Sequence, residues 1–281
     1  MTVVTQACEL RSAMAVRGGR RVLVPTMGAL HDGHLALLHR AREHAGPDGI
    51  VGVSIFVNPI QFDRATDLAA YPRPLEADLS TCFGAGVDVV FVPDVEAMYC
   101  ADRSVMVTES LLSQGLCGAM RPGHFDGVCT VVLKLFLLSA CEAAVFGEKD
   151  FQQLAVIRRM VRDLDLPVTI IGHSTVREAD GLALSSRNVR LSTAQRADAP
   201  RLRQALLAAA DAFTGGTRLA ADLIGTARQG IEASVLARLE YLSLVDAQSL
   251  QPVQRVECPS VLATAVYYGD VRLIDHITLA P

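Results

Sequence analysis

Five short stretches, residues 21–25, 50–57, 87–92, 143–146 and 168–171, carry β-branched and other apolar side chains at consecutive rather than alternating positions. A strand with water on one face alternates polar and apolar residues, so uninterrupted apolarity requires cover on both faces, as in a parallel sheet flanked by crossover helices. Helix-length segments at residues 35–44, 75–83, 126–138 and 151–164 lie between the stretches. The βα repeat predicts an α/β fold, an open doubly wound parallel sheet of Rossmann-like form. Ligands of such a sheet sit beyond the carboxyl ends of its strands, so chemistry is expected just after Val24, Val57 and Phe146.

From about residue 192 the pattern changes. Two alanine-rich helical stretches, 193–213 and 219–239, precede strand-like runs at 242–245, 262–268 and 271–279, which predicts a smaller C-terminal α+β domain. A chain of 281 residues exceeds the usual single domain, and the expected division is 1–175 for the Rossmann-like domain and 176–281 for a cap. Lys and Arg (26) nearly balance Asp and Glu (30) for a formal charge of −4. That balance supplies no positive field for a nucleic-acid backbone and points to a small-molecule partner. The cysteines, at 8, 82, 100, 117, 129, 141 and 258, are odd in number and form no Cys-x-x-Cys pair, so reduced thiols in the cytoplasm are expected. No basic segment followed by an apolar one opens the chain, so no signal peptide is expected. The most apolar stretch, 128–140, is interrupted by Lys134 and falls short of the roughly 20 residues that span a bilayer, so no membrane partner is expected.

The strand ends carry the chemistry. After the first comes Pro25-Thr-Met-Gly-Ala-Leu-His31-Asp-Gly-His34, which opens a helical segment. Unpaired N–H groups and the positive end of the helix dipole attract phosphate there, and two imidazoles can donate to charge that develops as a phosphate leaves. A helix cap or a weak metal site would look the same in isolation. After the second strand, Asn58 and Gln61 offer neutral amides able to orient a hydroxy acid, although Asn58-Pro is also an ordinary turn. Arg121, His124 and Asp126 precede the most apolar helix, and Asp126 reads as its cap. After Phe146, Lys149 can meet a phosphate as a point charge, while Asp150 can bind ribose hydroxyls, help hold a metal or cap the helix. Ser185, Ser186 and Arg187 form a polar loop suited to the outer phosphates of a nucleotide.

In order and spacing, five segments resemble the pantothenate synthetase family. They are Pro25-Thr-Met-Gly-x-Leu-His31-x-Gly-His34, Phe56-Val-Asn-Pro-x-Gln61-Phe, Arg121-Pro-Gly-His-Phe-Asp-Gly127, Phe146-Gly-Glu-Lys-Asp150 with Gln152-Gln153, and Asp180-Gly-Leu-Ala-Leu-Ser-Ser-Arg-Asn188. The His-x-Gly-His element and the Ser-Ser-Arg loop are similar to the two signatures of a wider nucleotidyltransferase superfamily. The resemblance implies a cytoplasmic homodimeric ligase that condenses pantoate with β-alanine through pantoyl-adenylate, releasing AMP and pyrophosphate, with Mg²⁺ and ATP as co-substrate, on the route to coenzyme A. It implies ATP contacts at Met27, Gly28, Ala29, Leu30, His31, Asp32, Gly33, His34, Gly147, Glu148, Lys149, Asp150, Val176, Leu184, Ser185, Ser186 and Arg187. Pantoate would meet Gln61 and Gln153, with Gln61 also touching β-alanine. His34, His31, Lys149 and Arg187 would act on the transition state, His34 as proton donor, and Asp78 and Asp150 are candidate metal ligands. Ala77 occupies a position that is acidic in some members of the family, which bears on those ligands.

Overall fold

At the centre of the first predicted strand, Val22, Leu23 and Val24 have no solvent exposure, because helices cover both faces of the strand. The computed structural model describes residues 1–281. Its first ten elements are β1 (Thr2–Val4), α1 (Ala7–Met14), β2 (Arg21–Thr26), α2 (Asp32–Ala45), β3 (Ile50–Ile55), α3 (Ala65–Ala69), α4 (Leu75–Gly84), β4 (Val89–Phe91), α5 (Val95–Met98) and α6 (Leu116–Met120). The next ten are α7 (His124–Ser139), β5 (Ala143–Gly147), α8 (Phe151–Asp163), β6 (Thr169–His173), α9 (Thr193–Asp198), α10 (Arg201–Thr214), α11 (Ala220–Glu232), β7 (Ala237–Asp246), β8 (Ser260–Tyr268) and β9 (Val271–Leu279). They form two compact units. One comprises Met1–Ser110, Arg121–Glu148 and Gln153–Ser174, and the other Leu111–Met120, Lys149–Gln152 and Thr175–Pro281.

The first unit holds a parallel sheet in the order β1-β4-β3-β2-β5-β6. Val22 and Val24 pack with Leu37, Leu38 and Ala41 of α2 and Cys82 of α4 on one face. On the other, Gly52 of β3 lets α1 lie close, since a Cβ there would sit 2.5 Å from Met14 Sδ. Strand order reverses at β2: the chain runs outward through β3 and β4, then returns to β5 on the opposite side. The ladder joining β2 and β5 consists of Val22 with Ala143 and Leu23 with Ala144, although both strands run on to Thr26 and Gly147. Pro25, which has no N–H to give a ladder, lies in this diverging part. The reversal thus lies between β2 and β5, and the carboxyl ends beside such a reversal are the place where doubly wound sheets bind ligands.

The second unit contains the antiparallel sheet β7-β8-β9, whose Leu262, Val266 and Tyr268 share a core with Leu206 of α10 and Leu223 of α11. No helix of the chain is long and apolar enough to cross a membrane.

Four local expectations are corrected. β1 and α1 lie ahead of the first predicted strand; β1 is a three-residue edge strand with Val4 alone buried, too short to show a period. Residues 193–213 form two helices, because the ring of Pro200 separates α9 from α10. Residues 219–239 are helical through Glu232, after which Ser234 Oγ accepts from the N–H groups of Leu236 and Ala237 and turns the chain into β7. Finally α7 starts at His124 behind a left-handed Gly123, so Asp126 lies inside the first turn and is not the cap.

Where β7 ends, Asp246 accepts from Ser249 N at 2.6 Å, from Ser249 Oγ at 2.7 Å and from Cys258 Sγ at 3.1 Å. These donors favour the ionised carboxylate and hold its pKa down to about 2. The depressed value gives a stabilisation that is complete above the unfolded carboxylate pKa near 4 and fades as pH falls toward 2. Asp246→Asn is expected to cost about 1 kcal/mol at pH 7, discounted for partial exposure, and close to nothing at pH 2. Denaturant titrations at the two pH values measure this, and an equal loss at both would refute it.

Candidate functional site

Thr26 ends β2 by donating its Oγ1 to Ser54 O (2.7 Å) and accepting from Gly28 N (3.2 Å), which bends the chain out of the sheet. Gly28 and Ala29 then take left-handed φ values of 79° and 51°. Asp78, from α4 and 2% exposed, holds this turn: its carboxylate accepts from Ala29 N at 2.9 Å and Leu30 N at 2.7 Å. A Cβ at residue 28 would lie 2.8 Å from Asp78 Oδ2, so glycine is required there for space as well as for φ.

The turn delivers His31 to the N-cap of α2. Its Nδ1 accepts from Gly33 N at 3.1 Å, while His31 N donates to His34 Nδ1 at 3.3 Å, a reciprocal capping box built from two imidazoles. An Nδ1 that accepts a backbone N–H carries no proton, so each neutral ring has its proton on Nε2. The rings lie 4.2 Å apart between centroids. The structure thus shows the cap, made through Nδ1, with the ring N–H of each histidine placed on Nε2.

Gln61 follows β3 in a short 3₁₀ turn, Pro59–Gln61. Asn58 Nδ2 donates to Gln61 Oε1 at 2.9 Å and to Gly127 O at 3.1 Å, and Asn58 Oδ1 accepts from the Tyr99 hydroxyl at 2.8 Å. Gln61 Nε2 reaches Met27 Sδ at 3.2 Å, which brings the first two sequence segments together. The Arg121–Gly127 segment supports them. His124 Nδ1 donates to Gln61 O at 2.7 Å, and Arg121 Nη2 reaches the same carbonyl at 3.3 Å. An added Cβ at Gly127 would lie 2.5 Å from Ile60 O, so α7 approaches this turn as closely as glycine permits. Burial alone would raise the Asp63 carboxyl, but Arg121 Nε at 2.8 Å outweighs it and holds the pKa below the ordinary carboxylate range. Gly147 and Glu148 close β5 in the same unit, and Gln153 lies half-buried on α8.

In the second unit, Lys149 Nζ makes a long 4.0 Å ion pair with Asp150. The neighbouring Gln152 is structural: it donates to Leu112 O (2.8 Å) and Gly115 O (2.7 Å) and accepts from Cys117 N (2.9 Å). The polar loop follows a narrow antiparallel excursion in which Leu184 N donates to Val176 O and Glu178 N to Leu182 O. Ser185 Oγ accepts from Arg187 N at 3.2 Å and fixes the turn. Asn188 Nδ2 ties the loop back to Glu178 Oε1 at 3.0 Å and Ala183 O at 3.1 Å. Arg196 clamps the other side through Glu178 (2.5 Å) and Asp180 (2.6 Å), and its guanidinium holds the Asp180 carboxyl below its usual pKa. Arg177 forms two bonds, 2.7 and 2.8 Å, to the buried Asp275 of β9. Tyr99, Glu178 and Arg196 escape sequence reading, since their partners stand at positions that no spacing relates to them.

No group of three or more His, Cys, Asp or Glu side chains able to hold a metal occurs in the chain. Asp78 engages both oxygens with backbone amides, whereas Asp150 is half-exposed.

Comparison with known proteins gives one answer. A family model described as Pantoate-beta-alanine ligase matches residues 2–278. A pantothenate synthetase of Akkermansia muciniphila is 53% identical over 99% of this chain and 100% of its own length, and one of Pseudomonas savastanoi is 49% identical over 99% of each. The crystal structure of pantothenate synthetase from Thermus thermophilus superposes with a TM-score of 0.94 at 45% identity, covering 100% of both chains. That of the Francisella tularensis pantoate-beta-alanine ligase, complexed with beta-gamma ATP and beta-alanine, has a TM-score of 0.80 at 31% identity, covering 99% of this chain and 97% of its own.

Asp78→Asn keeps the shape of the Asp78 side chain but turns an NH₂ toward one of the two buried amides, leaving that N–H without an acceptor. A loss of about 2 kcal/mol is expected, read as a lower urea midpoint at unchanged slope. An unchanged midpoint would show that the turn holds without the carboxylate.

Proposed function

The chain belongs to the pantoate-beta-alanine ligase family, and from that premise we propose that it makes pantothenate by activating pantoate with ATP as pantoyl-adenylate. One observation carries the reading. The two imidazoles at the start of α2 have their protons on Nε2, and the Gln61 carboxamide in contact with the same loop has its oxygen occupied and its NH₂ against a thioether. This pairs donors for phosphate charge with a donor for an oxyacid at the strand ends of one sheet.

In the proposed reaction a pantoate carboxylate oxygen attacks the α-phosphorus of ATP and the bond to the bridging oxygen breaks, so pyrophosphate leaves with the electron pair. The amine of β-alanine then attacks the acyl carbon, loses a proton, and AMP departs with the carboxylate oxygen. His31 and His34 donate from Nε2 to developing phosphate charge, and Lys149 and Arg187 neutralise the leaving pyrophosphate, so catalysis rests on positioning and electrostatics. The remaining ATP contacts are assigned to Met27–Asp32, Gly33, Gly147, Glu148, Asp150, Val176 and Leu184–Ser186, the acid to Gln61 and Gln153, and β-alanine to Gln61. The division into a 1–175 nucleotide and pantoate domain and a 176–281 cap belongs to the same proposal.

A magnesium ion accompanying ATP would supply neutralisation of phosphate charge in this reading. Asp150 is the carboxylate proposed to meet it, because Asp78 is committed to the turn. A homodimer in the cytoplasm completes the proposal.

His34→Ala and Lys149→Ala are each expected to slow adenylate formation by roughly 10²- to 10³-fold while the protein stays folded. Pantoate-dependent exchange of labelled pyrophosphate into ATP, without β-alanine, measures that step directly. Near-normal exchange in either variant would remove that residue from the mechanism. With ¹⁸O in the pantoate carboxylate, full turnover should deliver one label to AMP; label in inorganic phosphate together with ADP would establish an acyl-phosphate route instead.

A further inference from the structure

Gln61 is a carboxamide, and a carboxamide has two ends of similar shape and opposite polarity. Which end meets the ligand is set by its neighbours. Gly127 O can only accept, so it draws Asn58 Nδ2 (3.1 Å), and the Tyr99 O–H donates to Asn58 Oδ1 from the other side (2.8 Å). Asn58 is thereby fixed in one orientation, and its second N–H falls on Gln61 Oε1 at 2.9 Å. With its oxygen engaged, Gln61 presents its NH₂, whose partner within the protein is the weak acceptor Met27 Sδ. Asn58, Tyr99 and Gln61 are 1%, 7% and 8% exposed, so water does not substitute for a lost bond. Burial also pushes the Tyr99 pKa well above its usual value, which keeps the hydroxyl proton in place.

We propose that Tyr99 is a positioning residue for the acid substrate, acting through Asn58 to fix which face of the Gln61 carboxamide the substrate meets. It is a specificity device. The site demands an acceptor oxygen at Gln61, and the demand originates two side chains away. The inference rests on the reading that Gln61 holds pantoate and adds to it a group not expected to touch any substrate.

Tyr99→Phe removes one hydroxyl and leaves the ring, with its packing on Phe56. In full-length enzyme with saturating ATP and β-alanine, the variant is expected to raise the KM for pantoate about 3- to 10-fold, the worth of one hydrogen bond, with kcat and the KM for ATP within about 2-fold. In a Gln61→Ala background the same substitution should change the pantoate KM by less than about 1.5-fold, because the carboxamide it orients is gone. An unchanged KM in Tyr99→Phe, with Gln61→Ala clearly raised, would overturn the relay and leave the pantoate assignment standing. Full additivity of the two substitutions would also overturn it. An unchanged KM in Gln61→Ala would instead refute the parent reading and the relay with it. Should Tyr99→Phe not fold, Asn58→Asp decides the matter: without a donor to Gln61 Oε1 the pantoate KM is expected to rise at least about 10-fold, and a normal KM would overturn the proposal.

Discussion

A single buried carboxylate organises the loop between β2 and α2 in the first unit. Asp78 accepts from the two successive N–H groups at Ala29 and Leu30, and that pairing is what makes a left-handed alanine tolerable, since such a conformation costs an L-residue about 1–2 kcal/mol. Were the loop to relax, His31 would leave the N-cap of α2, and with it would go the exchange of bonds that sets both ring protons on Nε2. Helix start, turn geometry and imidazole tautomer are one structural fact seen at three scales.

Elsewhere the same economy recurs with different groups. The Gln61 turn is held at its side chain by Asn58, at its carbonyl by His124 and at its backbone by the close approach of Gly127. Ser185 to Asn188 are held by Asn188 and, one step further out, by Arg196 through Glu178. In each case the residue expected to meet substrate is exposed to it by a neighbour that is not. Preorganisation of this kind leaves little rearrangement to the moment of reaction.

The sheet was legible because consecutive apolar residues at 22–24 and 143–145 leave no solvent-facing side, and that constraint is local. The loops after β2 and β5 were legible as candidates for a similar reason: their Gly, His and Lys residues stand where strands end. Boundaries set by one residue were harder. Pro200 could have been read as a break within residues 193–213, whereas the Ser234 turn that stops α11 depends on a hydroxyl that also donates to Asp198, out of reach of any local pattern. Asp78 is named from the resemblance as a candidate metal ligand, but its role as an acceptor for a loop 48 and 49 positions away is a tertiary property. Tyr99 carried no signal at all, being one apolar-looking residue at the end of a four-residue helix.

The short seam between β2 and β5 has a further consequence. With cross-strand pairing there confined to Val22–Ala143 and Leu23–Ala144, the sheet is effectively two panels, β1-β4-β3-β2 and β5-β6, each fully laddered within itself. Beyond the seam no ladder bond ties β2 to β5, so a change of twist between the panels there is opposed by side-chain packing and not by the sheet's own hydrogen bonds.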